Sequence, residues 1–221
     1  APPEELAKMI PPYHAVLIRS ASKITAEVIE AASTLKVIGR PGVGVDNFDI
    51  PAATRRGIIV MNSPQGNMVS TAELTMALLL GLARNVAAAD ASMKAEKWDR
   101  KSFAGVELQK KRIGVVGLGR IGREVAARCR AFNMEVVGYD PFVSAQAVEA
   151  LHVGLCSLDE LFATCDYITL HTTLTDATRQ LISREAIAKM KPGVRLINAA
   201  RGKLIDEEAL IEALDSGKVA G

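Results

Sequence analysis

The chain has 221 residues, of which 49% are hydrophobic and 24% charged, an ordinary composition for a water-soluble globular protein and enough chain for one large domain or two smaller ones. A net charge of +2 with no block of Lys or Arg argues against a nucleic-acid-binding or membrane-binding surface. The apolar stretch 76–83 is far shorter than the roughly 20 residues of a membrane span, and Ala1-Pro2-Pro3-Glu4-Glu5 has neither the basic start nor the apolar core of a signal peptide.

Strand-like and helix-like segments alternate from end to end, the pattern of a parallel α/β sheet. Residues 4–10 read as a short helix closed by Pro11-Pro12, and 14–19 as a strand. Thr25 caps a helix running to Ala32, and 35–39 is a second strand. Asp49 caps the next helix, with Pro51 in its first turn and Gly57 past its end, and 58–61 is a third strand. These units make a smaller first half, residues 1–64. Ser70-Thr71-Ala72-Glu73 reads as a capping box that opens one long apolar helix over 74–97, within a second domain of 65–221. So apolar a helix needs more than one surface to bury it, which a second domain, a partner subunit or both would supply. Trp98 and Phe103 fit equally as interface anchors or as core residues.

The rest of the second half carries strands at 112–116, 134–139, 167–170 and 194–198, a weaker one near 152–155, and helices starting near Ile121, Ser144, Ser157, Ser183 and Asp206. The continuously apolar strands predict a sheet covered on both faces. A complete dinucleotide fold has six parallel strands. With four or five here, a helix at the start and an apolar strand beginning at Lys218-Val219-Ala220-Gly221, the chain is expected to be part of a longer protein, truncated at both ends. Cys129, Cys156 and Cys165 are odd in number and lack Cys-x-x-Cys spacing, so they read as reduced thiols of a cytoplasmic protein. No His or Cys stands at metal-ligand spacing, and no metal is expected.

The most informative run is Lys111-Arg112-Ile113-Gly114-Val115-Val116-Gly117-Leu118-Gly119-Arg120-Ile121-Gly122, a strand ending in Gly-x-Gly-x-x-Gly that turns straight into a helix. Gly117 suits the tight turn, Gly119 the close approach of a pyrophosphate, and Gly122 the packing of helix on strand; the helix N-terminus would face the phosphates. A second apolar strand ends in Asp140, placed to hold the adenosine ribose hydroxyls, and an acid there favours NAD over NADP. Ligands of open parallel sheets bind beyond the carboxyl ends of the strands. Arg201, in Ala199-Ala200-Arg201-Gly202 after strand 194–198, suits a substrate carboxylate held bidentately. His171 follows strand 167–170; its place beside the expected ribose and pyrophosphate suits a structural or cofactor-contacting role better than proton donation, and His14 and His152 read as structural. In the first half Arg19-Ser20 and Arg40 end strands, Gly42-Val43-Gly44-Val45-Asp46 is a glycine-rich turn, and the two arginines and the serine suit an anionic, even phosphorylated, substrate. Asn62-Ser63-Pro64-Gln65-Gly66-Asn67 is a turn-rich loop between the halves.

Together, Arg19-Ser20, the stretch from Gly39-Arg40-Pro41 to Asp46-Asn47, Asn62 to Asn67, 117–122, Tyr139-Asp140-Pro141, His171-Thr172 and Ala199-Ala200-Arg201-Gly202 resemble the D-isomer-specific 2-hydroxyacid dehydrogenase family in order and spacing, over nearly the whole chain. The resemblance implies a Rossmann-type doubly wound parallel sheet, residues 65–221, that binds NAD, with a long dimerisation helix. It also implies an incomplete, smaller, flavodoxin-like α/β substrate domain, residues 1–64. It implies that Gly117, Gly119, Arg120, Ile121 and Gly122 meet the pyrophosphate, that Asp140 binds the ribose, and that Val43, Thr172, Ala199, Ala200 and Arg201 line the nicotinamide side. Arg201 would hold the carboxylate and polarise the reacting carbonyl, while Arg19, Ser20 and Asn67 would contact a small anionic 2-hydroxy or 2-keto acid, with Arg19 near a phosphate. The implied reaction is oxidation of 3-phosphoglycerate to 3-phosphohydroxypyruvate at the start of serine synthesis, in a cytoplasmic homodimer or homotetramer. Glyoxylate or hydroxypyruvate reduction and NAD-sensing corepression are the rival readings. The family's catalytic His and the Glu that orients it fall beyond Gly221, and Val43 and Thr173 stand where Thr and Pro are common in members acting on phosphoglycerate.

Overall fold

The computed structural model describes residues 1–221, the side chain of Ala145 excepted. The chain divides into two compact units, Ala1–Met68 and Val69–Gly221. In the first, α1 (Pro3–Met9), β1 (Ala15–Leu17), α2 (Ala26–Ala31), β2 (Val37–Arg40), α3 (Ile50–Arg55) and β3 (Ile59–Asn62) alternate as expected. The strands form one parallel sheet in the order β1-β2-β3. Period-two alternation puts Val16, Ile38 and Val60 on the face that packs with Val28, Ile29 and Ala53, while Leu17, Ile59 and Met61 stay exposed on the other. The helices start where hydroxyl or carboxylate side chains serve the orphan amides: Thr25 accepts from the Val28 N–H at 3.5 Å and Asp49 from that of Ala52 at 2.9 Å. At the other end of α2 the Arg56 guanidinium donates to the carbonyls of Ile29, Glu30 and Ala32 at 2.7, 3.0 and 3.3 Å, where the helix runs out of amides to serve its last carbonyls.

The second unit opens with α4 (Met68–Ala83) and α5 (Val86–Lys94), followed by β4 (Arg112–Val116), α6 (Arg120–Ala131), β5 (Glu135–Tyr139), α7 (Ala145–Glu149), β6 (Gly154–Leu155), α8 (Leu158–Thr164), β7 (Tyr167–Leu170), α9 (Arg184–Lys189), β8 (Arg195–Asn198) and α10 (Glu207–Asp215). Its five strands are parallel, in the order β6-β5-β4-β7-β8, so the chain reverses direction across the sheet at β4. One core gathers Ile113, Val115, Val125 and Leu79 on one face, and a second gathers Val116, Leu161, Ile168 and Ile187 on the other, which is the two-faced burial the apolar strands predict. Beyond α10, Val219 bridges Val194 in parallel and the Leu196 N–H donates to the Gly221 carbonyl at 2.9 Å, so 219–221 runs along β8 as the apolar pattern predicts.

One expectation fails. The long apolar segment is not one helix over 74–97. It starts six residues earlier, at Met68, with Ser70-Thr71-Ala72-Glu73 inside its first turns, and it breaks into two helices bent by 67°. The break falls at Asn85, in the left-handed region at φ +54°, where asparagine is among the few residues at ease. The Ala83 carbonyl, which a continuing helix would use, instead accepts from the Val106 N–H at 2.8 Å. No single helix among the described residues is long and apolar enough to cross a membrane. Trp98 is 76% exposed, which removes its reading as a core residue, and Phe103 is half-buried.

The turn from β4 into α6 is the tightest place in the unit. Gly117 has φ +94°, and a Cβ there would meet the His171 carbonyl at 2.8 Å; a Cβ on Gly122 would lie 2.0 Å from the Gly117 carbonyl oxygen. Gly119, between them, would meet nothing within 4 Å. Gly122→Ala must therefore push α6 off the strand, and chemical denaturation is expected to show a loss of about 1–3 kcal/mol. Gly119→Ala is expected to stay within about 1 kcal/mol of the unsubstituted chain.

Candidate functional site

The carboxyl edge of the second sheet carries most of the residues singled out from the sequence. β4 and β5 are joined there by Asp140, whose Oδ2 accepts from the Leu118 N–H and whose Oδ1 accepts from the Phe142 N–H, each at 2.9 Å. Arg123 Nε donates to the Leu118 carbonyl at 2.8 Å, so both backbone groups of Leu118 are held. The glycine loop is thereby shaped from outside. Its central residue, Gly119, is the N-cap of α6 without a capping side chain, and the amides of the first helical turn have no carbonyl four residues back to bond. Open space at Gly119 beside a helix N-terminus is a cradle that a side chain would fill, and it fits a pyrophosphate. Asp140 retains acceptor capacity on both oxygens for a ribose, since a carboxylate offers about four lone-pair sites. Arg120 is exposed and Ile121 half-buried at the start of the helix.

Across the switch point, β7 ends in His171 and Thr172. The His171 N–H donates to the Val116 carbonyl at 2.7 Å, continuing the β4–β7 ladder, and its Nε2 lies 2.9 Å from the hydroxyl of fully buried Thr169. Burial pushes the His171 pKa down to about 4, so the imidazole is neutral at physiological pH. Thr172 is half-buried. β8 ends in Asn198, whose Oδ1 accepts from the Ala200 N–H at 3.0 Å and whose Nδ2 donates to the Arg201 carbonyl at 2.9 Å. This clip folds Ala199-Ala200-Arg201 back over the strand end. Arg201 is extended, at φ −141° and ψ 133°, and its Nη1 donates to the Ala200 carbonyl at 2.9 Å.

In the first unit the carboxyl ends of β1, β2 and β3 also converge. Arg40, the last residue of β2, donates from Nη2 to Ser20 Oγ at 3.1 Å and from Nη1 to Asn47 Oδ1. Asn47 donates in turn to the carbonyls of Arg19 at 3.2 Å and Ser22 at 2.8 Å. Asn62, the last residue of β3, donates to the Val43 carbonyl at 2.7 Å, and the Ser63 N–H to that of Gly42 at 3.0 Å. Arg19, Ser20 and Arg40 thus share one strand-end cluster; Val43 is half-buried in the adjoining glycine turn, and Asn67 is exposed in the turn that precedes α4. Three asparagines shape these loops, Asn47, Asn62 and Asn198; the sequence reading gives none of them a role of its own, although Asn47 and Asn62 lie in the stretches that carry the family resemblance. Their only signal is a weak strand former placed at a strand end or turn.

Among the described residues the three cysteines are free, and burial pushes the Cys129 and Cys165 thiols up to about 12. No group of three or more metal-ligating side chains occurs among the described residues.

The neutral His171 makes stability depend on pH. Its pKa is about 4 folded and 6.5 when unperturbed, so the unfolded chain binds the extra proton and stability falls as pH drops from about 6.5 towards 4. Between pH 7 and pH 5 this one group is expected to cost about 2 kcal/mol. Urea unfolding of the chain and of His171→Gln at both values checks it: the variant should lack that increment.

Comparison with known proteins bears on the same residues. Residues 76–221 match the family described as D-isomer specific 2-hydroxyacid dehydrogenase, NAD binding domain. The chain is 54% identical over 217 residues to D-3-phosphoglycerate dehydrogenase of Archaeoglobus fulgidus, covering 98% of this chain and 41% of that protein. It is 51% identical over 218 residues to the Rattus norvegicus enzyme of the same name, covering 99% and 41%. The chain therefore spans about two fifths of the length of these relatives. A crystal structure of D-lactate dehydrogenase from Aquifex aeolicus, complexed with NAD and lactic acid, superposes with a TM-score of 0.91 at 33% identity, covering 97% of this chain and 65% of that one. A five-stranded parallel sheet that reverses at β4, a glycine cradle at that strand's end and this match agree: the chain belongs to the D-isomer-specific 2-hydroxyacid dehydrogenases, and its second unit carries their NAD-binding domain.

Proposed function

We propose that the protein of which this chain is part oxidises 3-phosphoglycerate to 3-phosphohydroxypyruvate with NAD, as the first step of serine synthesis in the cytoplasm. The observation that carries the substrate is the Arg19-Ser20 pair, donors suited to a phosphate, with Arg40 bonded to the serine, in a chain half-identical to named phosphoglycerate dehydrogenases. The first unit, in this reading, binds substrate through Arg19, Ser20 and Asn67. The second binds the cofactor: 117–122 cradle the pyrophosphate, Asp140 takes the ribose hydroxyls, and Thr172 and 199–201 bear on the nicotinamide. NAD, when bound, supplies a hydride acceptor for the substrate C2.

Arg201 holds the substrate carboxylate by a bidentate pair and stabilises charge on the C2 oxygen. The Asn198 clip fixes the backbone from which that guanidinium extends. Proton exchange at the C2 oxygen is not assigned to His171, whose ring is turned to Thr169 and held neutral by burial.

Calorimetry on this chain tests the reading. NAD is expected to bind, and Gly119→Ala to weaken it at least tenfold with the fold intact. With NAD saturating, 3-phosphoglycerate is expected to bind more tightly than glyoxylate. Arg201→Gln should weaken both acids by about 2 kcal/mol, the scale of a charge-assisted hydrogen bond, and Arg19→Ala should weaken 3-phosphoglycerate alone. Preference for glyoxylate would replace the substrate with a small 2-keto acid; NAD binding with neither acid bound would favour a sensing role.

The same reading assigns a homodimer, or a dimer within a homotetramer, joined through α4 and α5. Helix α5 buries none of its residues, and Leu74, Leu78, Val86, Met93 and Trp98 present an exposed apolar surface along these helices. A second copy of the chain is the expected cover. Sedimentation should give a dimer that Leu78→Glu converts to monomer with unchanged circular dichroism.

A further inference from the structure

We infer that Asn47 and Arg40 are positioning residues that brace the 19–22 loop and turn the Ser20 hydroxyl towards an incoming anion; the identity of that anion rests on the reading above.

Asn47 is only 9% exposed, in the turn after β2, and both ends of its amide are engaged. Oδ1 accepts from Arg40, and the two Nδ2 hydrogens go to the carbonyls of Arg19 and Ser22, at 3.2 and 2.8 Å. One neutral side chain therefore joins β2 to a loop more than twenty residues earlier and holds Arg19 by its main chain. Arg40 completes the brace. A guanidinium has donors and no acceptor, so in the 3.1 Å contact between Arg40 Nη2 and Ser20 Oγ the serine oxygen must accept. Its own hydrogen is then directed away from Arg40. Ser20 is exposed, so this polarised O–H is presented to solvent as a donor. A phosphate or carboxylate oxygen, which only accepts, matches that donor. The arrangement offers an anion a neutral donor beside the Arg40 guanidinium.

The pattern also says why the residue is Asn. An aspartate of the same shape would pair with Arg40 but set a carboxylate oxygen against two carbonyls that now receive N–H donors. Lysine in place of Arg40 keeps the charge and loses the fork that reaches Asn47 and Ser20 together.

The test uses this chain with Asn47→Ala, Asn47→Asp, Arg40→Lys, Ser20→Ala and Ser20→Thr, titrated by calorimetry with 3-phosphoglycerate, with inorganic phosphate and with NAD. Expected are a loss of about tenfold or more in affinity for both anions in the first four variants, recovery to near the unsubstituted value in Ser20→Thr, and NAD affinity within about twofold throughout, since NAD binding belongs to the second unit. If Asn47→Ala fails to fold, Asn47→Asp and Arg40→Lys decide. Anion affinity unchanged in those two overturns the inference, as does an equal loss of NAD affinity, which would mark a general structural defect. A chain that binds phosphate with these losses but ignores 3-phosphoglycerate upholds the brace and overturns the substrate reading. A chain that binds neither anion overturns both.

Discussion

A single backbone contact governs the second unit: the Cα of Gly122 against the carbonyl of Gly117. It leaves no room for a side chain on α6 at that point and so seats the helix directly on the end of β4. Because α6 begins there, its unpaired amides open at the switch point of a sheet ordered β6-β5-β4-β7-β8, where the connections diverge to either side and leave a crevice. Everything assigned to the cofactor follows from that seating. Asp140 comes within reach of the Leu118 amide only because β5 lies beside β4, and His171 lies under Gly117 only because β7 lies on the other side.

The two edges of the second sheet are held by different chemistry. At the amino edge the links are charged: Arg112 with Glu135 and Glu160, and Lys191 with Asp166. Each pair keeps at least one partner well exposed to water, and such pairs contribute about 1 kcal/mol or less. At the carboxyl edge most links are neutral or go to backbone: Asn198 to the 200–201 turn, Thr169 to His171, and Asp140 to two amides. The first unit repeats the habit, with Asn47 and Asn62 shaping the glycine turn and the 19–22 loop. Neutral amides fix a loop without competing for the anion it is meant to receive. The cation at the first unit's edge, Arg40, is thus bonded to the uncharged side chains of Asn47 and Ser20.

Much of this was legible in the chain. Strand positions followed from apolar runs of four or five residues, and four helix starts from Thr25, Asp49, Ser157 and Ser183, each of which bonds the amide three residues on. The glycine spacing and Asp140 pointed to a dinucleotide because each residue type answers a local steric or electrostatic need. The long helix was misread for the opposite reason. Nothing in 84–86 forbids a helix, and the break depends on the Val106 amide arriving from 23 residues further on to take the Ala83 carbonyl. The bracing roles of Asn47 and Asn62 escaped the sequence reading for the same cause, since their partners lie 25 and 28 residues away for Asn47 and 19 for Asn62.

The sequence by itself determined the class of fold, the strand that meets the pyrophosphate, the acid that follows it and the cations at the strand ends, because these are set by short-range periodicity, backbone sterics and charge. Only the tertiary structure decided which of those groups are held and by what: that Asp140 shapes the glycine loop, that His171 is kept neutral, and that Arg40 is tied between Asn47 and Ser20. These hydrogen bonds and this burial join segments brought together from farther along the chain than a capping pattern of three residues reaches, so no such local pattern encodes them.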